Sequence, residues 1–332
     1  MPEVHKPASV RPALSLQPPN FSAKDPGVGG WRHLLDQARG ADAAGIDRLV
    51  VSDHVVLGEN LEAYGDPKNG GIKGGVQPTG PDGQWLDPIV LLSMWAAVTK
   101  RTRFLTGILI APLRRPATLA KQLATLDVLS EGRLDIGVGV GWQREEYEAN
   151  GVQYEGRGKL LDETLEICQK LWREESASHR GPIAKFEKTH LNPKPFDPCG
   201  VPFWISGTLN PNVMNRIVKY GSGWIPWGPD AMNPIEGLKK IREALVKAGR
   251  SAEGFEATSY IPLVYSSDKE SSDKKSSDKK IDVEKTMSIV PAMVAGGLTD
   301  LRITLELPTS QAATEDLLTP LVQAFRQSAG RR

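Results

Sequence analysis

No stretch of this 332-residue chain approaches the ~20 consecutive apolar residues that cross a bilayer, so a membrane-spanning helix is not expected. Cysteine is nearly absent. Cys168 and Cys199 are too few for a disulfide framework or a four-ligand zinc site, so no metal centre is expected and a reducing, cytoplasmic setting fits best. An excess of one charge is missing too: Lys and Arg number 41 against 40 Asp and Glu, a formal +1. That balance gives no electrostatic footprint for nucleic acid or an anionic membrane surface, and a small molecule is the expected partner. Histidine is scarce, with only His5, His33, His54, His179 and His190 able to exchange protons near neutral pH. The first dozen residues hold Pro2, Pro7 and Pro12 and no apolar core, so residues 1–12 read as a disordered tail and not as a signal peptide.

What is present is an alternation of strand-like and helix-like stretches, punctuated by 33 Gly and 25 Pro. Ala13 to Gln17 reads as a strand stopped by Pro18-Pro19, and Trp31, Leu34, Leu35, Ala38 and Ala41 recur at helical spacing up to Gly45. Arg48 to Val56 follows, an apolar Leu49-Val50-Val51 run that breaks into Ser52-Asp53-His54. A run of that kind suits a strand buried on both faces, with the polar trio emerging at its carboxyl end, where α/β proteins bind ligands. Residues 57–85 turn to Gly, Pro, Asn and Asp without period, which reads as a lid or binding loop.

Further pairs follow: Asp87-Pro88 opening a helix, a strand from Arg103 to Ile110, a helix from Ala117 to Leu129, and a strand from Leu134 to Val138 running into Gly139-Val140-Gly141-Trp142. Beyond Glu145 the chain reads as helical, residues 176–202 as a loop-rich excursion, and Phe203 to Ser206 and Gly223 to Trp227 as strands. Phe255 to Tyr265 and Asp300 to Leu305 read as strands seven and eight, and Ala313 to Ala329 as a closing helix. Between them, residues 266–280 repeat Ser-Ser-Asp-Lys with no apolar side chain to offset ordering entropy, so a solvated low-complexity excursion is expected there. Eight alternations in one chain favour a closed α/β barrel, of the (β/α)8 TIM type, as one domain over residues 13–329 with loop insertions at its C-terminal face.

His54, at the end of a strand, is the histidine best placed for proton exchange, with Asp53 beside it as hydrogen-bond acceptor or fixed charge. A structural histidine at a strand end is the other reading. Gly137, Gly139 and Gly141 would let a flat or anionic ligand approach the backbone, or else serve tight strand-to-helix packing. Their spacing is not that of a dinucleotide fingerprint. Ser206-Gly207-Thr208, between a strand and a helix, suits a phosphate, with helix capping by Thr208 or Asn210 as the plainer alternative. Trp142, Trp224 and Trp227 lie near strand ends, where they line a pocket for a planar ligand or pack in the core.

The stretch from Leu129 to Trp142, Leu-Ser-Glu-Gly-Arg-Leu-Asp-Ile-Gly-Val-Gly-Val-Gly-Trp, followed by Glu146-Tyr147 and Gly151, resembles the signature of luciferase-like flavin and deazaflavin oxidoreductases. The resemblance extends to Thr106 to Pro112, Pro202 to Thr208 and Gly221 to Trp224. It implies a (β/α)8 barrel, commonly a homodimer, with the cofactor at the carboxyl ends of the strands. It also implies a non-prolyl cis peptide on the third strand, expected at Ile108-Leu109, behind the tricyclic ring. By the same resemblance Ser206, Gly207 and Thr208 hold the cofactor phosphate, and Gly139 and Gly141 lie close to the cofactor. In members that use the deazaflavin coenzyme F420, the Asp-His pair matches Asp53, as a cofactor contact, and His54, as proton donor or acceptor. Trp142 stands where the family's sugar-phosphate dehydrogenases carry a carboxylate, which argues against glucose 6-phosphate as substrate.

The function expected from the chain is therefore an oxidoreductase dependent on coenzyme F420, moving hydride between the deazaflavin C5 and a small apolar or aromatic substrate near Trp142 and Trp227. An FMN-dependent monooxygenase is the alternative, and a flavin-binding carrier without turnover is a third.

Overall fold

The computed structural model describes residues 10–27, 30–266 and 280–331. Most of the expected tail over residues 1–12, and the interior of the expected excursion over 266–280, lie outside the described residues. At the base of that excursion Tyr265 bridges Ile281, and the Ser266 N–H donates to the Lys280 carbonyl at 2.9 Å, so its two ends meet.

The apolar runs form the strands of a barrel. They are β1 Ala13–Leu16, β2 Arg48–Val51, β3 Arg103–Thr106, β4 Leu134–Gly139, β5 Phe203–Gly207, β6 Gly221–Pro226, β7 Glu256–Tyr260 and β8 Asp300–Ile303. Each pairs in parallel with the next. β8 returns to β1 with Asp300 opposite Ala13 and Ile303 opposite Leu16, which closes the sheet and removes its edges. The helices between them are α1 His33–Ala44, α2 Pro88–Val98, α3 Pro116–Leu129, α4 Arg144–Ala149, α5 Arg157–Arg173, α6 Pro211–Tyr220, α7 Pro234–Lys247, α8 Val283–Met287, α9 Val290–Ala295 and α10 Gln311–Ser328. Proline sits in the first turn of α2, α3, α6 and α7, where a missing N–H costs nothing, and Asp87, Asn210 and Ser310 cap their helices with side-chain oxygens.

Three expectations change. The helix read from Glu145 onward is two, because Gly151 and Gly156 adopt left-handed backbone between α4 and α5. Strand seven stops at Tyr260 and strand eight at Ile303, short of the boundaries read from the sequence. Residues 176–202 contain an antiparallel pair, Ala177–Arg180 with Lys185–Thr189, whose charged and mostly exposed side chains hide its strand character.

Inside the barrel the layers differ in kind. Val50, Leu105, Trp204 and Ile225 make an apolar layer, all buried. Toward the N-terminal ends of the strands lies an ion network: Arg48 reaches Asp300 at 2.6 Å, Asp135 at 3.2 Å and Glu256 at 3.4 Å, and Arg103 grips Asp135 through two bonds of 3.1 and 2.9 Å. Burial works against the Asp135 and Asp300 carboxylates, but the arginines beside them prevail and hold both acids below the usual range. For Glu256 burial prevails, and its acid is pushed up to about 7.

Candidate functional site

The exit of β2 is fixed before any chemistry is placed on it. The Asn20 carboxamide accepts from the Ser52 N–H at 3.1 Å and donates to the Ser52 carbonyl at 2.9 Å, which sets the direction in which Asp53 and His54 leave the strand. The two then part. The Asp53 carboxylate is fully enclosed, accepting from the Ile110 N–H at 2.8 Å and from both terminal nitrogens of Arg114 at 2.6 and 3.0 Å. Its oxygens are thus committed to the segment after β3. Asp53 does not present a free carboxylate to a cofactor; it pins Leu109–Ile110, which pairs with Val138 and Gly139 of β4. Although burial works against a charge on Arg114, Asp53 beside it holds the guanidinium firmly charged.

His54 turns toward a buried carboxylate and a wall of rings. Its Nδ1 is 3.4 Å from Oε2 of Glu146, a residue with no exposed side-chain surface, while Oε1 of Glu146 accepts from the Val55 N–H at 2.7 Å. The other ring nitrogen has no hydrogen-bond partner among the described residues. Glu146 lies in the first turn of α4, and nearby Gln143 clamps the chain beyond His54, accepting from the Gly58 N–H at 2.9 Å and donating to its carbonyl at 3.0 Å. Neither Glu146 nor Gln143 was singled out from the sequence; the only signal was that Glu146 belongs to the stretch that resembles the luciferase-like signature.

Four rings stand around this pair. Trp85 meets the His54 ring edge-on at 4.7 Å and Trp142 at 5.8 Å, and Tyr64 bridges Trp142 at 5.6 Å and Trp227 at 5.5 Å. Trp85 and Tyr64 come from the long loop read as a lid. Tyr154 ties that loop down, its hydroxyl reaching the Asn69 carboxamide at 3.1 Å and the Trp142 carbonyl at 2.9 Å. Trp142 is mostly buried, and its indole N–H finds no acceptor among the described residues. A donor left in that state is costly unless a ligand oxygen completes it.

The floor is made by the segment after β3. A non-prolyl cis peptide joins Gly107 to Ile108, one bond earlier than the Ile108-Leu109 position expected. Gly139, at the end of β4, and Gly141 beyond it are explained by the same segment: a Cβ on Gly139 would lie 2.9 Å from the Ile108 side chain, and one on Gly141, whose φ is +66°, 3.1 Å from that of Ile110. Their first role is to admit those isoleucines. Beneath the cis peptide lies Arg302, wholly buried, with only long contacts to Gln17 at 3.5 Å, Tyr260 at 3.4 Å and Asp300 at 3.3 Å. Its Nε is unpartnered among the described residues, so a fixed positive charge sits under the floor with spare donors.

Ser206, Gly207 and Thr208 end β5 across the mouth. The Thr208 hydroxyl donates to the Trp227 carbonyl at 3.0 Å, and the Leu209 N–H is held by Asp230 at 2.6 Å. Asn210 takes the N–H groups of Asn212 and Val213, both at 3.0 Å, so the first turn of α6 is already capped. Trp224, by contrast, is a core residue, its N–H donating to the Gly207 carbonyl at 3.1 Å.

The family model for luciferase-like monooxygenases matches residues 13–292. An uncharacterized protein of Mycobacterium tuberculosis is 36% identical over 165 residues, 50% of this chain and 58% of that protein. The chain thus spans little more than half the length of that relative. The oxygenase component of a flavin-dependent trigonelline monooxygenase from Acinetobacter baylyi is 32% identical over 137 residues, 41% of this chain and 38% of that protein. Among solved structures, an F420-dependent secondary alcohol dehydrogenase, in complex with an F420-acetone adduct, superposes with a TM-score of 0.67 at 18% identity. The superposition covers 95% of this chain and 99% of that one, and at this identity it carries the fold. No helix among the described residues is long and apolar enough to cross a membrane.

Proposed function

This chain belongs to the luciferase-like monooxygenase family, and from that premise we propose that it is an oxidoreductase using coenzyme F420, with His54 as the group that moves the proton. The observation that carries the reading is the His54–Glu146 pair, 3.4 Å apart, within aromatic walls. Glu146 accepts from Nδ1–H, which fixes the tautomer and leaves Nε2 as the nitrogen that takes or returns a proton. When bound, the deazaflavin supplies a carbon centre that accepts or gives a hydride. The residues at the mouth fit such a group. Ile108 and Leu109 would back its ring and Gly139 and Gly141 leave the strand without side chains there. Because α6 is capped and Leu209 is held by Asp230, a phosphate would fall to Ser206, Gly207 and Thr208 and not to the helix. The unpartnered Trp142 N–H favours a substrate with a hydroxyl or carbonyl oxygen on an apolar body, and Trp227 would cover that body from the other side.

Asp53 then acts as a positioning residue, through Arg114 and Ile110, and touches no reacting atom. A homodimer belongs to the same reading: α2 is apolar except for Ser93, with Val90 and Met94 turned outward, and a solution mass of twice 36.1 kDa is what it requires.

The second reading is an FMN-dependent monooxygenase, favoured by the likeness to the Acinetobacter baylyi oxygenase component. Calorimetric titration of the full chain with each cofactor, followed by turnover with and without oxygen, separates the two. Tight binding of coenzyme F420 and hydride transfer indifferent to oxygen are expected. Binding of FMN alone, with turnover that needs oxygen, would overturn the first reading in favour of the second. Binding without turnover of any alcohol or ketone tested would leave a carrier.

A further inference from the structure

A cavity of about 580 Å³ opens at the other end of the barrel, among the N-terminal ends of the strands and away from His54. Barrel enzymes do their chemistry at the C-terminal face, so the proposed reaction has no use for it. Its wall is strongly cationic. Arg11, Arg48, Arg101, Arg103, Arg326 and Arg331 line it, opposed by three acids.

The acids are largely committed. Asp47 holds Arg331 through bonds of 2.6 and 2.9 Å, and Asp135 holds Arg103 in the same two-pronged way. The third, Glu256, opposes less charge than its formula suggests, since burial pushes its acid up to about 7. Arg48 is shared among Asp300, Asp135 and Glu256, whereas Arg11, Arg101 and Arg326 meet no carboxylate among the described residues. Arg101 donates to the main-chain carbonyls of Asp42 and Ala43, and Arg326 to that of Gly45 at 3.0 Å. Arg11 is exposed and makes no side-chain hydrogen bond or ion pair with the described residues. Arg48, only 3% exposed, keeps its Nε unpartnered, as does Arg326. Guanidinium forks without a carboxylate match the oxygens of phosphate or carboxylate in pairs, and the volume is that of a small-molecule site.

We propose that this N-terminal cavity is a binding site for a multivalent oxyanion, a small molecule carrying phosphate groups or several carboxylates. Calorimetric titration of the full chain with pyrophosphate and, separately, with citrate tests it, with ionic strength held constant by sodium chloride. At least one anion should bind with a Kd below about 1 mM. The tighter of the two identifies the class. Arg11→Ala, at a side chain that bonds nothing, and Arg101→Ala should each weaken binding about 5- to 10-fold. Thr208→Glu, which would block the phosphate site proposed at the opposite end, should leave the arginine-dependent binding in place. The site is overturned if neither anion binds beyond the chloride control, or if both arginine variants bind like the parent while Thr208→Glu abolishes binding.

Discussion

The two ends of this barrel treat charge in opposite ways. At the N-terminal end, arginine and carboxylate are brought together in numbers: Arg48 alone meets Asp300, Asp135 and Glu256, below the apolar layer of Val50, Leu105, Trp204 and Ile225. At the C-terminal end charged groups are fewer. Arg114 holds Asp53 and Asp87, one histidine faces one buried glutamate among tryptophans, Arg302 pairs with Asp300 and lies under the floor, and an indole N–H is left without an acceptor. Paired charges hold a structure in place, whereas donors left open, the Trp142 N–H at the mouth and the arginines of the N-terminal cavity that meet no carboxylate, are groups a ligand can complete. The pair Asp53 and His54 shows the contrast within two residues: the first is consumed by Arg114 and Ile110, and the second keeps a nitrogen free.

If that contrast is real, substitutions at the two ends should fail in different assays. The largest effect belongs to His54→Ala under saturating cofactor. Hydride-transfer rate should fall about 10²- to 10⁴-fold, the range of a general acid or base, with the unfolding midpoint nearly unmoved. Equal rates and equal pH profiles in both proteins would remove His54 from the chemistry. Arg48→Met should do the reverse. It strands Asp135, Asp300 and Glu256 without their shared cation, and urea unfolding should show a loss of about 3–5 kcal/mol. A variant as stable as the parent would mean that the network is not what holds the N-terminal end.

The smallest effect is one of pH. Asp127, on α3 and buried, accepts from the Phe196 N–H at 2.9 Å, yet burial pushes its acid from 3.8 up to about 6. The folded protein therefore holds that proton more tightly than the unfolded chain. The stability this contributes is present in full below about pH 4 and is lost as pH rises through about 6. Relative to Asp127→Asn, the parent should lose about 1–3 kcal/mol between about pH 4 and pH 7, read from denaturant unfolding at each pH. Parallel stability curves for the two proteins would show that burial does not raise the pKa of this carboxyl in the fold.

Much of the barrel was legible from local chemistry. Leu49-Val50-Val51 forms a strand because a continuous apolar run is stable only when covered on both faces, and Pro88 starts a helix because its fixed φ suits a first turn. The site was legible only as a set of exits. Glu146 reads, in sequence, as an acid placed to complement the start of a helix, and nothing nearby says that it meets a histidine 92 residues earlier. The hairpin of Ala177–Arg180 and Lys185–Thr189 was hidden for a similar reason, since the first strand alternates over four residues with only a small and a polar side chain turned inward and the second is charged and largely exposed.

By itself the sequence determined the alternation of strands and helices, the closure that eight such units favour, and the strand end from which His54 emerges, because these follow from side-chain burial and backbone freedom within a few residues. Only the tertiary structure decided which groups meet. It spent Asp53 on Arg114 and Ile110, set Glu146 against His54, moved the cis peptide to Gly107-Ile108, and joined Arg48 to Asp300 across 252 positions. Coulomb attraction and hydrogen bonding act over a few ångströms of space, whatever the separation along the chain, and the closed sheet is what brings those residues within that range.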